Sequence, residues 1–223
     1  MSSVELVVAH YAESLAWLRK TPASLQRTVI DKNPDETFPD AIALPNIGRE
    51  AHSYLHFLLS RYESLSDVTV FCQGHPFDHA FDFHTTLRQL AQSTESVENF
   101  LWLGHIIDTD DAKGHTLFRG WSKNDDGHEL DMNGFHSALL GTQGPAEYTF
   151  KLGAQFVVTK ETILSRPLAF WERAMKVAIE FPDAAHCFER SWDKVFGVEG
   201  IDRIWLGERK TVYLKPIRRL NVS

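Results

Sequence analysis

VELVVA, residues 4–9, is an almost uninterrupted apolar run near the start of this 223-residue chain. A short strand of this composition is buried on both faces of its sheet, which is typical of parallel sheets covered by helices. A helix-compatible segment follows over residues 10–20 and stops at Thr21-Pro22, and RTVID, residues 27–31, has the character of a second strand. Strand, helix and strand in this order predict an α/β protein.

The same alternation continues along the chain. The clearest helix is predicted within residues 46–65, because apolar side chains recur there at i, i+3, i+4 and i+7, and Asn46 is its predicted N-cap. Further strands are predicted at 68–72, 100–103 and 153–160, and further helices at 85–92, 165–181 and 183–197. Residues 108–150 are rich in Asp, Gly, His and Asn and show weak periodicity, so they are predicted to be a long irregular segment of functional character.

These elements predict one α/β domain over residues 1–223, with a mixed, mostly parallel sheet flanked by helices. No linker-like stretch separates two halves that would each form a core. The two cysteines, Cys72 and Cys187, are interpreted as buried free thiols, with a disulfide or a nucleophile as the alternative.

Charge and hydropathy limit the function classes. The net charge of −7 argues against general nucleic-acid binding. No apolar stretch approaches about 20 residues, so no transmembrane segment is expected. The N-terminus lacks a basic leader, so a cytoplasmic protein is expected. The sequence leaves the oligomeric state open. Basic residues gather near the C-terminus. They form either a solvated surface or a surface that contacts phosphates or an anionic membrane. They are Arg209, Lys210, Lys215, Arg218 and Arg219.

Polar side chains accumulate where the predicted strands end. They are His10, Tyr11 and Glu13 after the first strand, Gln73, His75, Asp78 and His79 after the strand at 68–72, and His105 after the strand at 100–103. In open α/β sheets ligands bind beyond the carboxyl ends of the strands. The sequence therefore predicts a ligand site at this edge.

Two clusters have the composition of a metal site. HPFDH, residues 75–79, offers His75, Asp78 and His79, with His84 nearby, and imidazole with carboxylate suits Mn, Zn or Fe. DTDD, residues 108–111, offers carboxylates for Mg²⁺ or Mn²⁺. The alternative in both cases is an ordinary polar turn.

Two further residues have a candidate role. Arg49 follows the turn at Asn46 and would add a guanidinium to the anion-binding start of the long helix, unless it forms only a surface pair with Glu50. Glu189 lies beside Trp192 on the last helix and is a candidate general base, the alternative being a solvated glutamate.

Several blocks together resemble a family of uncharacterised bacterial and fungal proteins, a domain of unknown function, over nearly the whole chain. They are VVAHYAESLAWL, LPNIGREAHSYLHFLL, DVTVFCQGHPFDH, GAQFVVTKETILSRPLAFW and FERSWDKVFG.

The order of the blocks is also similar, more loosely, to that of small GT-A-type glycosyltransferases. That resemblance implies that Gln155 lies near the sugar, that Glu189 deprotonates an acceptor hydroxyl, and that Asp78 joins the reacting centre. It implies nucleotide contacts from Tyr11, Glu13, Asn46, Arg49 and Gln73. Where such enzymes carry Asp-x-Asp, this chain reads QGHPFD, residues 73–78, so the first carboxylate is missing.

Three hypotheses follow. The first is a glycosyltransferase-like enzyme that moves a sugar from a nucleotide-sugar to a hydroxyl acceptor, with Mn²⁺ or Mg²⁺ as cofactor. The second is a metal-dependent hydrolase with Zn²⁺ at His75, Asp78 and His79. The third is a degenerate carbohydrate- or nucleotide-binding module, which the missing Asp-x-Asp motivates.

Overall fold

A central sheet and a smaller second sheet organise the chain in a computed structural model, which describes residues 2–35, 38–121, 127–201 and 211–214. The strands are β1 (Val4–His10), β2 (Gln26–Asp31), β3 (Ile42–Ala43), β4 (Val68–Gln73), β5 (Phe100–Trp102), β6 (Ile106–Asp111), β7 (Glu147–Lys151), β8 (Phe156–Thr159) and β9 (Thr211–Tyr213). The helices are α1 (Arg49–Arg61), α2 (Phe83–Gln92), α3 (Phe118–Trp121), α4 (Met132–Leu140), α5 (Lys160–Leu164), α6 (Leu168–Glu180) and α7 (Ala184–Phe196). The predicted basic C-terminal residues lie outside the described ones.

The central sheet has six strands in the order β3-β2-β1-β4-β8-β5. The first four strands in this order are parallel, and β8 is antiparallel to both β4 and β5. Val8 of β1 pairs with Val29 of β2 on one side and Cys72 of β4 on the other, so β1 is an interior strand. The predicted α/β fold with a mixed, mostly parallel sheet is confirmed.

Helices cover both faces of this sheet because the side chains of β1 alternate between two apolar layers. Val7 belongs to the larger layer, which contains the apolar faces of α1, α4, α6 and α7. Leu6 and Val8 belong to the smaller one, built with α2 and a 3₁₀ turn at Leu15–Lys20. Cys72 and Cys187 are buried free thiols, as predicted.

The prediction of an irregular segment over residues 108–150 is wrong. It contains most of a three-stranded sheet in the order β7-β6-β9, together with α3 and α4. DTDD, residues 108–111, is the greater part of β6, so it forms neither a turn nor a loop. Tyr148 and Phe150 of β7 enter the larger apolar layer, which joins the second sheet to the first.

None of the helices in the described part of the chain has the length and apolarity needed to cross a lipid bilayer.

Candidate functional site

A pocket of about 440 Å³ opens at the carboxyl ends of β1, β2 and β4. Its lining comes from four segments that are far apart in sequence. The lining residues are Ala9, His10, Tyr11, Glu13, Lys32, Asn46, Arg49, Glu50, Ser53 and Gln73. Five of the six residues predicted to contact nucleotide or substrate are among them, which are Tyr11, Glu13, Asn46, Arg49 and Gln73.

The loop after β1 is held by its own polar groups. Glu13 Oε2 accepts hydrogen bonds from the backbone N–H groups of Tyr11 and Ala12 at 3.0 and 3.1 Å. A Cβ at Gly74 would lie 2.5 Å from the same oxygen, so the carboxylate and the backbone of the β4 loop are in close contact. Glu13 thus fixes the wall of the pocket, while Tyr11, with 45% of its surface exposed, stands at the rim.

Below this loop lies a buried imidazole–carboxylate pair. His10 Nδ1 is 2.9 Å from Asp31 Oδ1, and His10 Nε2 is 2.9 Å from the carbonyl oxygen of Glu13. Burial raises the pKa of Asp31, but hydrogen bonds from the backbone N–H groups of Phe38 and Asn33, together with His10, bring the pKa below its ordinary value. Both ring nitrogens of His10 have partners, so the pair ties β1 to β2 and orients the loop.

The start of α1 departs from the prediction. Gly48, not Asn46, is the N-cap, with φ 60°, and Arg49 follows with φ 46°. A Cβ at Gly48 would lie 2.8 Å from His52 Cβ and 2.9 Å from the carbonyl oxygen of Ala178, so both backbone angle and space require glycine. Asn46 lines the pocket instead, and Arg49 is exposed at the helix start.

Lys32, the residue after β2, holds this start in place. Its ammonium donates hydrogen bonds to the carbonyl oxygens of Ile47 and Arg49. Burial lowers the pKa of Lys32 to about 8, and the carboxylate of Glu50 partly offsets this effect. Lys32 and Arg49 therefore place two cationic groups against one pocket.

Glu50 faces the same pocket from the first turn of α1. Burial and then the negative charge of Glu189 raise its pKa to about 7, in spite of the opposing charges of Arg49 and Lys32. Near neutral pH this carboxyl group is protonated in a large fraction of the molecules. Ser53 lies one turn further along α1, fully buried, and its hydroxyl has no hydrogen-bond partner among the described residues.

The predicted cluster in HPFDH is divided. His75 and Asp78 are exposed and contact each other, with His75 Nδ1 3.2 Å from Asp78 Oδ2. The ring of His79 packs instead on Gly153, where a Cβ would lie 2.6 Å from His79 Cδ2. Among residues 2–35, 38–121, 127–201 and 211–214, no three His, Cys, Asp or Glu side chains are placed to hold one metal ion. The metal site at these residues stays a prediction.

Glu189 lies beside the pocket on α7 and not in its lining. Its Oε1 accepts a hydrogen bond from the backbone N–H of Gly153 at 2.8 Å. Its charge acts on Glu50, on His79 and on His186 of its own helix. The candidate base is thus held at the wall between the first turn of α1 and the β4 loop.

Gln155 is fully buried, and its Nε2 donates a hydrogen bond to the carbonyl oxygen of Pro76 at 3.1 Å. In this position the side chain holds the HPFDH loop. The predicted contact with a sugar stays a prediction.

Asp110 and Arg190 form a buried ion pair that the sequence interpretation missed. Arg190 Nη2 and Nε donate to Asp110 Oδ2 at 2.7 and 3.1 Å. Asp110 also accepts hydrogen bonds from the backbone N–H groups of Thr116, Leu117 and Phe118. The carboxylate of Asp110 therefore connects β6 to α7, which carries Glu189.

Lys32, Glu50 and Ser53 are the polar residues of the pocket to which sequence interpretation assigned no ligand contact. The rule that located Tyr11 and Gln73 also covers Lys32, because it follows directly after a parallel strand. Glu50 and Ser53 follow Arg49 at helical spacing, so a helix beginning at the pocket carries all three near it.

Comparison with known proteins shows which family the chain belongs to. Residues 6–204 match the family described as Protein of unknown function (DUF3431). No curated protein matches the chain in sequence. A solved structure of CMP:2-keto-3-deoxy-manno-octonic acid synthetase complexed with CTP is similar at 10% identity and a TM-score of 0.35, over 79% of this chain and 83% of that chain. The match over most of the sequence confirms the resemblance to an uncharacterised domain family, and the chain belongs to the DUF3431 family.

Proposed function

We propose that this chain is a glycosyltransferase-like enzyme that binds a nucleotide-sugar in the pocket at the carboxyl ends of β1, β2 and β4 and transfers the sugar to a hydroxyl acceptor. One observation carries the proposal. Five residues that the block order assigned to nucleotide binding, from three separate segments, line one pocket of about 440 Å³. Ligand pockets commonly have volumes of about 300–1,000 Å³.

The charges of the pocket suit a diphosphate. Arg49 and the free N–H groups at the start of α1 form an anion-binding arrangement, and Lys32 adds a second cation against the pocket. Tyr11, exposed at the rim, is available to stack on a base or a ribose. The diphosphate is therefore assigned to the α1 side and the nucleoside to the β1 loop.

Sugar transfer then needs a base on the far side of the donor sugar. In direct displacement the acceptor oxygen attacks the anomeric carbon, its proton passes to the Glu189 carboxylate, and the bond to the diphosphate oxygen breaks. The hydrogen bond from the Gly153 N–H holds Oε1 of Glu189, and the proton would pass to its Oε2. Lys32 and Arg49 would stabilise the charge that develops on the leaving diphosphate.

The residues that the structure describes do not form a complete protein site for a divalent cation. His75 and Asp78 contact each other and His79 is directed at Gly153, so the three do not share one ion. Mn²⁺ or Mg²⁺ stays a predicted cofactor.

The test is thermal stabilisation of the purified protein by a panel of nucleotide-sugars and nucleoside diphosphates, each with Mn²⁺, Mg²⁺, Zn²⁺ or EDTA. A ligand at 100 times its Kd raises the free energy of unfolding by about 2.7 kcal/mol. Arg49→Ala should weaken the responding ligand roughly 10- to 100-fold, since a charge-assisted hydrogen bond is lost. Arg61→Ala, at the other end of α1, is the control and should bind like wild type.

Turnover separates the remaining hypotheses. Glu189→Gln should retain nucleotide-sugar binding and lose sugar transfer or hydrolysis. Binding without turnover in both proteins would indicate the degenerate binding module. Stabilisation by Zn²⁺ alone would favour the metal-dependent hydrolase, and no stabilisation by any nucleotide would contradict the proposal.

A further inference from the structure

Two features of the pocket indicate that it binds an anion, and Ser53 is the first of them. It lines the pocket at 0% exposure, and its hydroxyl oxygen has no hydrogen-bond partner among the described residues. A buried hydroxyl without a partner costs about 1–3 kcal/mol, so such a group is normally completed by water or by a ligand. Ser53 lies four residues after Arg49, on the same face of a 13-residue helix.

Glu50 is the second feature. It lies between Arg49 and Ser53 on the pocket side of α1, next to the cations that would receive a phosphate group. An ionised carboxylate there would repel the phosphate, whereas a protonated carboxyl group would donate a hydrogen bond to it. Whether this position attracts or repels an anion therefore depends on whether Glu50 is protonated.

We propose that the first turn of α1 is a proton-linked anion subsite, in which Arg49, the helix N–H groups and the Ser53 hydroxyl bind a phosphate group while Glu50 binds it in its protonated form. The identification of this group as the diphosphate of a nucleotide-sugar rests on the function proposed above. Binding at a pH where Glu50 is ionised takes one proton from solvent onto this subsite, and no covalent bond changes.

The surrounding charges define the pH window. The charges of Lys32 after β2, Arg49 on α1 and Glu189 on α7 act on Glu50. His10 and Glu13 line the same pocket, and His79 and His186 interact with Glu189. His52 follows two residues later on α1 and interacts with Lys32. Burial lowers the pKa of His52 to about 4, so this ring is neutral from pH 6 upward. Glu50, with a pKa of about 7, ionises between about pH 6 and pH 8, and Lys32, with a pKa of about 8, begins to lose its charge within the same range, so wild type is compared with Glu50→Gln at each pH.

The experiment measures binding of inorganic pyrophosphate by isothermal titration calorimetry, at about pH 6 and about pH 8, in buffers of different ionisation enthalpy. Glu50→Gln copies the protonated carboxyl group, and Glu63→Gln, an exposed glutamate beyond α1, is the matched control. Wild type and the control should take up about one proton more per pyrophosphate at pH 8 than Glu50→Gln does. Their affinity should fall about tenfold more than that of Glu50→Gln between the two pH values.

Ser53→Ala tests the hydroxyl separately. It should weaken pyrophosphate binding about tenfold without lowering Tm, because no hydrogen bond between Ser53 and the described residues is removed. Ser60→Ala is the control on the same helix. Its hydroxyl donates to the carbonyl of Phe57 at 3.1 Å, far along the helix from the pocket, so pyrophosphate binding should not change.

Equal proton uptake by wild type and Glu50→Gln, or no pyrophosphate binding at pH 6, would overturn the subsite. If Ser53→Ala bound pyrophosphate as tightly as wild type, the Ser53 hydroxyl would not be part of the subsite. Proton-linked pyrophosphate binding without any response to nucleotide-sugars would leave the subsite standing and contradict the proposed function. Nucleotide-sugar binding that Glu50→Gln leaves unchanged at pH 8 would contradict the subsite and leave the proposed function standing.

Discussion

At the scale of single residues, Glu50 links the pocket to the stability of the fold. Its pKa is about 7 in the folded chain against 4.5 for an unperturbed glutamate. Between these values the folded state binds more protons than the unfolded state, so this group makes the free energy of unfolding fall as the pH rises. Because Glu50 is only half-buried, the full shift overstates the effect.

Glu50→Gln should therefore match wild type near pH 4.5 and be more stable by about 1–2 kcal/mol near pH 8, without ligand. Urea unfolding at both pH values measures this difference, and Glu63→Gln should show none. A difference that is the same at both pH values would show that the charge of Glu50 is not the cause.

Gly153 supports the opposite wall of the site. Its φ is 94°, and a Cβ would lie 2.6 to 2.8 Å from three atoms of the His79 side chain. Gly153→Ala should lower the free energy of unfolding by about 1–3 kcal/mol and displace the N–H that binds Glu189. Urea unfolding checks the stability, and Gly120→Ala is the control, since a Cβ there meets no atom of the described residues within 4 Å. If Gly153→Ala left the free energy of unfolding unchanged, the loop would be able to relax around the added methyl group.

Local pattern predicted most pocket residues but not every local conformation. Tyr11, Glu13 and Gln73 follow from the rule for strand ends. The N-cap prediction for Asn46 was wrong because Gly48 takes that position. Its left-handed backbone and its close approach to His52 leave no room for a Cβ. Whether these pocket residues bind ligand stays a prediction.

At the scale of elements, the ion pair of Asp110 and Arg190 connects the second sheet to α7. Both side chains are almost fully buried, at 1% and 2% exposure. Arg190→Met should lower the free energy of unfolding by about 3–5 kcal/mol, because Asp110 is left as an uncompensated buried charge. Lys176→Met removes an exposed pair with Glu180 and should change stability by less than about 1 kcal/mol.

Chemical denaturation of both variants measures these two effects. Arg190→Met combined with Asp110→Asn should recover part of the loss, because the buried charge is then removed. Equal costs for Arg190→Met and Lys176→Met would contradict the role of the pair.

The same ion pair explains why β6 escaped prediction. A strand with Asp108 and Asp110 looks like a polar turn, since acidic residues are depleted in strands. Both are nevertheless buried, because Arg190 and backbone N–H groups satisfy Asp110 and Thr211 donates to Asp108. Partners about 80 and 103 residues away in sequence are invisible to a local pattern.

At the scale of the whole molecule, the α/β class was predictable from the short apolar strands, because only a sheet covered on both faces buries them. A single folding unit over the chain was also predicted, on the absence of a linker. The larger apolar layer gives this prediction a physical basis. It contains Phe71 and Phe156 of the central sheet, Phe150 of the second sheet and Trp192 of α7.

The chain should therefore unfold in one cooperative transition. Trp192, one of six tryptophans, packs 5.1 Å from Phe156 between ring centroids. Part of the tryptophan fluorescence therefore reports the central sheet, whereas far-UV circular dichroism reports all elements. The two urea transitions should coincide. Phe150→Ala, a truncation in the second sheet, should move both by the same amount, with a loss of about 3–5 kcal/mol. If circular dichroism alone shifted, or if the curves separated in wild type, the second sheet would be an independent unit and the shared apolar layer would not couple the two sheets.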